Sequence, residues 1–288
     1  CLMEQISKAD PTALLEAPKL KRKLPDVLHF DEIERIIAQI DLSKPEGGRN
    51  KAILETMYSC GLRVSEVKKR LQVCGLELED LDAVFVTHEH SDHWGHAASL
   101  CQRLSIPLWS SEGTLHAVLG EGADLNELDW NQACDGVAID LGDLQLLPFT
   151  VPHDAREPLQ LCCSDGDRRL GVVTDLGHAS AHVLRVLQGL NGLLLETNHD
   201  PDRLRQSAYP PFLKQRIASD LGHLSNAQAA QLLREVMHPG LGLVLAAHLS
   251  ERNNAPALAR AALAPILGCT EAELPVADPE LGSEWLQI

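Results

Sequence analysis

The sequence has few aromatic residues, few basic residues and no long apolar run. Aromatic side chains make up only 3% of the 288 residues, so aliphatic side chains must fill the core. The formal net charge is −16, which argues against a broad basic surface for duplex nucleic acid, because such surfaces draw on many Lys and Arg contacts to phosphate. No apolar run approaches the roughly 18 residues of a membrane span, so no membrane partner is expected.

Paired cysteines are also missing from the pattern. Eight cysteines occur without a C-x-x-C pair, a regular spacing or a secretory signal. We therefore expect reduced thiols and a cytoplasmic protein. Cys162 and Cys163 lie in an apolar, strand-like run and are expected in the core.

Two parts of the chain differ in character, residues 1–66 and residues 67–288. Residues 1–67 carry 10 Lys+Arg and 11 Asp+Glu, and the remainder carries 15 and 30, so the acidic excess belongs to the second part. Helical periodicity covers Phe30–Ile40 and Asn50–Cys60. We predict an α-helical amino-terminal segment followed by a separate domain.

From Leu76 onward, short apolar runs alternate with helical patterns, which predicts an α/β domain. The predicted strands are Leu81–Val86, Ile106–Trp109, Val137–Ile139, Leu144–Thr150, Leu159–Ser164, Arg169–Thr174, Leu193–Glu196 and Leu243–Ala247. The predicted helices are His96–Leu104, Ala181–Leu187, Ala227–Met237 with Ser225 or Asn226 as its N-cap, and Pro256–Ile266.

The stretch from Thr87 to His93 reads T-H-E-H-S-D-H and follows the first of these strands. Alternate residues of an extended or turning chain face the same way, so His88 and His90 can share one metal while Asp92 and His93 turn toward a second. The alternative is an exposed polar loop that happens to be rich in histidine.

A histidine or an aspartate follows strand after strand of the predicted domain. The residues are His88, His153, Asp175, His199 and His248. A single such histidine would by default be a core residue satisfied by a backbone carbonyl, but this number at equivalent strand ends predicts one common site.

The His-x-His-x-Asp-His motif after a strand resembles the signature of the metallo-β-lactamase superfamily. This resemblance implies an αββα sandwich with one or two metals between its sheets. The two or three strands that usually open that fold are not found in this sequence, so we expect a fold that lacks them. Their loss would expose a sheet edge.

The same resemblance implies a ligand set. His88, His90 and His153 match the first metal; Asp92, His93 and His248 match the second; Asp175 matches the bridging carboxylate. Two divalent ions are expected, Zn²⁺ first and Mn²⁺ or Fe as alternatives, with a bridging hydroxide as nucleophile. An aspartate at 175, where several true β-lactamases carry cysteine, makes β-lactam cleavage a less favoured activity.

Further motifs narrow the resemblance to the YycJ/WalJ-like subgroup over about residues 67–288. They are Pro152-His153-Asp154-Ala155, Thr174-Asp175-Leu176-Gly177, Glu196 with Asn198-His199-Asp200, Gly222-His223-Leu224-Ser225-Asn226 and Ala247-His248-Leu249-Ser250. This subgroup is associated with phosphodiester hydrolysis, including exonuclease activity on DNA.

Asp92 and His223 are the candidate catalytic residues. His223 precedes a predicted helix N-terminus, where N–H groups favour a phosphate oxygen, and as imidazolium it could protonate the leaving alkoxide; its alternative is a helix-capping or supporting role. His199, Lys214 and Arg216 are candidate substrate-binding residues, with a supporting histidine and a solvated charged face as the alternatives.

The segment from Leu24 to Glu66 resembles the start of the catalytic domain of Xer-type tyrosine recombinases. Arg63, in Gly61-Leu62-Arg63-Val64-Ser65-Glu66, matches the arginine that holds the scissile phosphate in that family. The H-x-x-R string at His182–Arg185 lacks the family context, and two prolines follow Tyr209. The chain therefore reads as a chimaera with Arg63 as a stranded remnant.

Three functions are compatible with these patterns. The leading one is a dinuclear hydrolase of phosphodiesters, with single-stranded nucleic acid ends among the candidate substrates. The second is thioester, ester or lactone hydrolysis by the same centre, because the ligands fix the nucleophile and not the electrophile. The third is a DNA-binding module formed by the recombinase-like segment. A homodimer is one open alternative for the assembly.

Overall fold

The computed structural model describes residues 68, 71–72, 76–123, 125–278, 286 and 288. All of them belong to one compact unit, Ser59–Ile288. The predicted helices of residues 1–66, the boundary near residue 67 and Arg63 lie outside the described residues and stay predictions.

Two β-sheets form the centre of the described unit. The first has three parallel strands in the order β1 (Val84–Phe85), β2 (Leu108–Ser110) and β3 (Trp130–Gln132). The second has six strands in chain order, β4 (Ile139–Leu141), β5 (Leu144–Thr150), β6 (Leu159–Ser164), β7 (Arg169–Val173), β8 (Gly192–Glu196) and β9 (Leu243–Ala247). Pairing is antiparallel from β4 to β7 and parallel across β7, β8 and β9.

Eight α-helices connect or cover these strands within the described residues. They are α1 (Ser91–Trp94), α2 (Ala97–Leu104), α3 (Glu112–Gly120), α4 (Ala181–Val186), α5 (Pro201–Gln206), α6 (Pro211–Ile217), α7 (Asn226–Val236) and α8 (Pro256–Leu267). Ser225 is the N-cap of α7, as predicted, and its hydroxyl accepts a hydrogen bond from the N–H of Gln228.

Apolar side chains from both sheets meet in a shared cluster. Phe85 and Trp109 of the first sheet pack with Ile139, Leu146 and Leu159 of the second. This contact makes the two sheets the inner layers of a sandwich.

Helices cover the outer faces of the sandwich. Ala98 and Cys101 of α2 pack against Leu108 of the first sheet. The largest core cluster joins the second sheet to α4, α7 and α8, with fully buried Leu232 and Leu263 as examples. The expected αββα arrangement is confirmed.

Most of the predicted strands are found, and three of them keep both predicted ends: β5, β6 and β9. The strand predicted at Val137–Ile139 begins two residues late, because Val137 closes a turn by donating its N–H to the carbonyl of Cys134 at 3.1 Å. Five elements with these bounds were not predicted, namely α1, α3, β3, α5 and α6.

The sequence predicted no membrane span and reduced cysteine thiols. None of the described helices is both long and apolar enough to cross a bilayer. The five cysteines in the described part, including the fully packed Cys162, are free thiols.

Candidate metal centre

Strand ends deliver the candidate ligands to one edge of the sandwich. The loop with His88 follows β1, His153 follows β5, Asp175 follows β7 and His248 follows β9. Asp175 and His248 have positive φ angles of 50° and 56°. Left-handed backbone at non-glycine residues costs of order 1–3 kcal/mol and concentrates at functional sites.

The first ligand group consists of His88, His90 and His153. Their nearest ligand atoms lie within 4.8 Å of one another, and Nε2 of His88 is 3.0 Å from Nδ1 of His90. Nδ1 of His153 lies 3.1 Å from the carbonyl of Gly222. Because a carbonyl only accepts, Nδ1 carries the proton, which leaves the Nε2 lone pair of His153 for a metal.

Asp175 lies between the first ligand group and the remaining histidines. Its carboxylate is 3.3 Å from Nε2 of His93, 3.8 Å from Nε2 of His248 and 3.9 Å from Nε2 of His153. His88, His93 and Asp175 form a second cluster with metal-ligand spacing. The predicted convergence of His153, Asp175 and His248 on the histidine loop is therefore found.

Asp92 stands apart from these clusters. It lies in the first turn of α1, its side chain is 72% exposed, and its carboxylate is 3.9 Å from Nε2 of His93. None of the described metal-binding groups includes it. Its assignment as a metal ligand and catalytic residue stays a prediction that needs a rotation of this side chain.

Two buried polar atoms of the site have no hydrogen-bond partner. They are Nε2 of His153 and Oδ2 of Asp175. A buried carboxylate oxygen and a buried imidazole nitrogen without partners are costly, and a cation between them removes that cost. Imidazoles and a carboxylate are also the donor set of a catalytic zinc or similar ion. These residues fit a divalent metal.

Burial lowers the pKa values of His88, His93 and His153 and so favours their neutral form. Burial, with the positive fields of His93 and His153, holds the pKa of His88 far below its usual range. Burial likewise lowers the pKa values of His93 and His153, although Asp175 opposes it. Neutral imidazole is the form that binds metal, so these side chains are set to accept a cation at neutral pH.

Glu196 is a buried carboxylate that supports the opposite side of the site. It is the last residue of β8 and accepts five hydrogen bonds at 2.7–3.1 Å. The donors are the backbone N–H groups of Asp175, Leu176 and Leu224 and the Nδ1 atoms of His223 and His248. Burial alone would raise the pKa of Glu196, but the hydrogen bonds from the two imidazoles hold it well below its usual range.

The two imidazoles bound to Glu196 respond in the opposite sense to those of the loop. Burial opposes the charge of both, yet the hydrogen bond to Glu196 outweighs it and raises the pKa of His223, and that of His248 to about 9. His223 also lies 3.7 Å from Asp175. Glu196 was not among the predicted site residues, although a charged residue at the end of an apolar strand could have indicated a site residue.

A second carboxylate fixes the loop that carries His153. Oε1 of Glu89 accepts a hydrogen bond from the N–H of Arg156 at 2.7 Å, so the histidine loop and the loop after β5 are tied together. Glu157 in turn accepts from the N–H of Gly113 at 2.7 Å. The position of His153 is therefore held from two sides.

The three candidate substrate-binding residues lie in different environments. Arg216 is largely exposed, forms an ion pair with Asp154 and lines the pocket above the site. Nζ of Lys214 donates to the carbonyl of Arg205 at 2.6 Å. His199 is only 3% exposed and pairs with Ser225 in a β-bridge. This burial favours the supporting role that was the alternative for His199, and its assignment as a substrate-binding residue stays a prediction.

A pocket of about 420 Å³ opens directly onto these groups. Its polar lining includes His90, Asp92, Asp154, Asp175, Arg216 and His223, and Tyr209, Leu213 and Ile217 supply its apolar wall. A pocket with convergent polar groups is the expected form of a small-molecule or catalytic site. Fold and site together define a metal-dependent hydrolase.

The chain belongs to the β-lactamase superfamily, because the model of the β-lactamase superfamily domain matches residues 59–248. It is 31% identical over 218 residues to exodeoxyribonuclease YycJ of Bacillus anthracis, covering 73% of this chain and 80% of that protein. Exodeoxyribonuclease WalJ of Streptococcus pneumoniae is 33% identical over 218 residues, covering 73% and 81%. The expected subgroup is confirmed.

A solved structure has the same fold, and a second family matches a smaller part. YhfI of Bacillus subtilis, a metallo-β-lactamase fold protein, aligns with a TM-score of 0.54 at 15% identity and covers 72% of this chain and 78% of that chain. Tyrosine recombinase XerD of Staphylococcus epidermidis is 39% identical over 83 residues, 29% of this chain and 26% of that enzyme. The chimaeric character of the sequence is thereby supported.

Proposed function

We propose that the protein is a dinuclear metal-dependent phosphodiesterase that acts on the ends of nucleic acid strands. The observation that carries the proposal is the position of Asp175, whose carboxylate lies within 4 Å of imidazole nitrogens of His93, His153 and His248. One carboxylate shared by imidazoles from both ligand groups is the arrangement that two neighbouring cations require.

His88, His90 and His153 would hold one cation, and His93 and His248 would hold the other together with Asp92 after its side chain rotates inward. Asp175 would contribute to both. When bound, zinc or a similar divalent ion supplies Lewis acidity and makes a water molecule acidic enough to attack at neutral pH. The unpartnered Nε2 of His153 and Oδ2 of Asp175 support this role.

His223 is the proposed proton donor to the leaving oxygen. Its Nδ1 proton is held by Glu196 at 2.9 Å, so Nε2 is the nitrogen that can exchange a proton with a substrate. The raised pKa of His223, caused by Glu196 against the effect of burial, keeps this proton available near neutral pH. Glu196 acts here through His223 and is a positioning residue.

A phosphodiester is preferred over a thioester or lactone for two reasons. The relatives that share about a third of their residues with this chain are named exodeoxyribonucleases. Arg216 and His223 add cationic donors to the pocket beside the ligands, which suits an anionic substrate. A cytoplasmic location is part of the same proposal and rests on the unpaired cysteines.

The test compares substrates on protein reconstituted with zinc, manganese or iron, with metal content measured in parallel. We expect a higher kcat/KM on a chromogenic phosphodiester than on thioester, ester and lactone panels, and release of nucleotides from end-labelled single-stranded DNA. A higher kcat/KM on the thioester would overturn the preference.

His223→Asn separates proton donation from metal binding. We expect kcat to fall by about 10²- to 10⁴-fold with metal content unchanged, since general acid catalysis contributes about that factor. His116→Asn, at an exposed histidine of α3 paired with Glu112, is the matched control. A variant with full kcat would remove His223 from the chemistry.

A further inference from the structure

The segment that covers the pocket has the opposite charge to the rest of the protein. Residues 201–217, which form α5 and α6, contain four Lys or Arg residues and one acidic residue, whereas the chain as a whole has a net charge of −16. Arg216 lines the pocket and pairs with Asp154, and Arg205 pairs with Asp202. The remaining basic excess is a local electrostatic footprint for a polyanion. The footprint is small, which fits one strand better than a duplex.

Helix α6 presents two stripes of side chains near the pocket. Leu213 and Ile217, four residues apart, line the pocket wall. Phe212 and Arg216 are also four residues apart, so they project from one adjacent face. Arg216 reaches Asp154 at the pocket. Because Phe212 lies one helical turn before Arg216 and is not part of the lining, we expect its ring beside the pocket.

Phe212 is unusually exposed for its type. Its exposed fraction is 72%, the highest among the exposed large hydrophobic residues of the described chain, although aromatic residues make up only 3% of the sequence. Leaving a phenyl ring in water forfeits the free energy of its burial. An aromatic ring beside cationic groups at the mouth of a pocket is the arrangement on which unpaired bases stack.

Tyr209 and Arg252 are in contact with each other near the entrance of the pocket. The guanidinium of Arg252, in the loop after His248, lies 5.9 Å from the centre of the Tyr209 ring. Tyr209 itself lines the pocket. The cation–π contact links the loop between α5 and α6 to the loop of a candidate ligand and adds another positive charge near the entrance.

We infer that Phe212 is a stacking platform for an unpaired nucleobase of a DNA strand whose terminal phosphodiester enters the pocket. This inference rests on the proposed function, because the phosphate must be held at the metal centre beside Arg216. The pocket, at about 420 Å³, lies near the lower end of the roughly 300–1,000 Å³ of ligand sites. It therefore suits one end of a strand, and the neighbouring base stays outside on the ring.

The experiment measures binding of metal-loaded protein to fluorescent single-stranded oligonucleotides with phosphorothioate links, which resist cleavage. Phe212→Ala should weaken binding about five- to 100-fold, since stacking of one base contributes about that factor. Removing the base from one nucleotide near the end should weaken the wild-type complex similarly but add little in the variant. Phe212→Trp should restore base-dependent binding. Leu119→Ala, at an exposed leucine of α3, is the matched control.

Three outcomes would overturn the inference. They are an unchanged affinity in Phe212→Ala, equal losses for normal and abasic strands, and a change of oligomeric state in the variant, which would assign the ring to a contact between copies. A failure of the catalytic proposal gives a different result. Phosphodiesters are then not hydrolysed, while the loss of binding affinity that depends on both Phe212 and one base is still measured.

Discussion

The histidines on the two sides of the centre are tuned in opposite directions. His88 and His153 on the side of β1 and β5 are buried among other imidazoles, and their pKa values are lowered. His223 and His248 on the side of β8 and β9 share the carboxylate of Glu196, and their pKa values are raised. Burial acts on all four, so the difference comes from one buried carboxylate.

This difference separates two tasks within one cluster. His88 and His153, which do not bind Glu196, offer the lone pairs of neutral imidazoles to a cation. The side that binds Glu196 favours protonated imidazoles. A bound cation would take the place of the proton on Nε2 of His248, and His223 would keep its proton for the proposed chemistry. A shared set of imidazoles can thereby serve as ligands and as an acid.

The largest effect is expected from Asp175→Asn, which removes the charge that both sides share. We expect a loss of both metals and a fall in activity of more than about 100-fold, since even residues that only orient ligands account for 10- to 100-fold. Elemental analysis and kcat/KM measure the two losses. Asp140→Asn, at an exposed residue of β4 bonded to Gln145, is the control, and normal metal content in Asp175→Asn would disprove the bridging role.

Glu196→Gln tests whether Glu196 causes the difference in pKa between the histidines on the two sides. The neutral amide should let burial dominate, so in chelated protein the pKa of His248 should fall from about 9 toward or below its ordinary value near 6.5. NMR titration of the imidazole resonances follows this directly. Metal affinity should fall about 10- to 100-fold.

The same variant is expected to unfold more easily by about 1–3 kcal/mol, because the amide cannot accept from all five donors. A His248 pKa that stays near 9 would mean that Asp175, and not Glu196, raises it.

Gly222→Ala displaces the residue that precedes His223 and whose carbonyl accepts from Nδ1 of His153. A Cβ at residue 222 would lie 2.2 Å from the carbonyl oxygen of Ile217 and 2.3 Å from that of Arg216, so the loop must move away from α6. We expect kcat to fall about tenfold or more, as misplacement of about 1 Å can cost up to 10². Gly120→Ala, where nothing lies within 4 Å of the new Cβ, should keep activity and bound metal.

Arg216→Gln should have the smallest effect, because it leaves both sides of the centre intact. The ion pair with Asp154 is partly exposed, so the loss of stability should be at most about 1 kcal/mol. KM for single-stranded DNA should rise several-fold. The salt dependence of KM should also become less steep, by the amount that one phosphate contact contributes. Arg234→Gln, on the exposed face of α7, provides the comparison. Equal KM values in both variants would rule out the phosphate contact.

Strand ends were the part of the site that the sequence could predict. An apolar run followed by His or Asp is a local pattern, and the positions of His153, Asp175 and His248 agree with it. The outward direction of Asp92 depends on the first turn of α1, and the support from Glu196 depends on partners up to 52 residues away. Such tertiary contacts have no local pattern.

Missed elements had weak patterns for physical reasons. In α3 the polar Thr114 is buried and the apolar Leu119 is exposed, so apolar and polar side chains are not separated onto two faces and helical periodicity was faint. Strand β3 is a three-residue edge strand with two polar residues. Helices α5 and α6 are short and begin at prolines, and a proline in a sequence more often marks a turn or loop.

The left-handed backbone at Asp175 and His248 has a consequence for how the protein can change. Glycine would relax both positions yet offers no donor atom, and β-branched or larger residues would sit there under greater strain. Replacing either residue by glycine would therefore gain stability and lose reactivity, so variants selected only for heat resistance should lose Asp175 and His248 first.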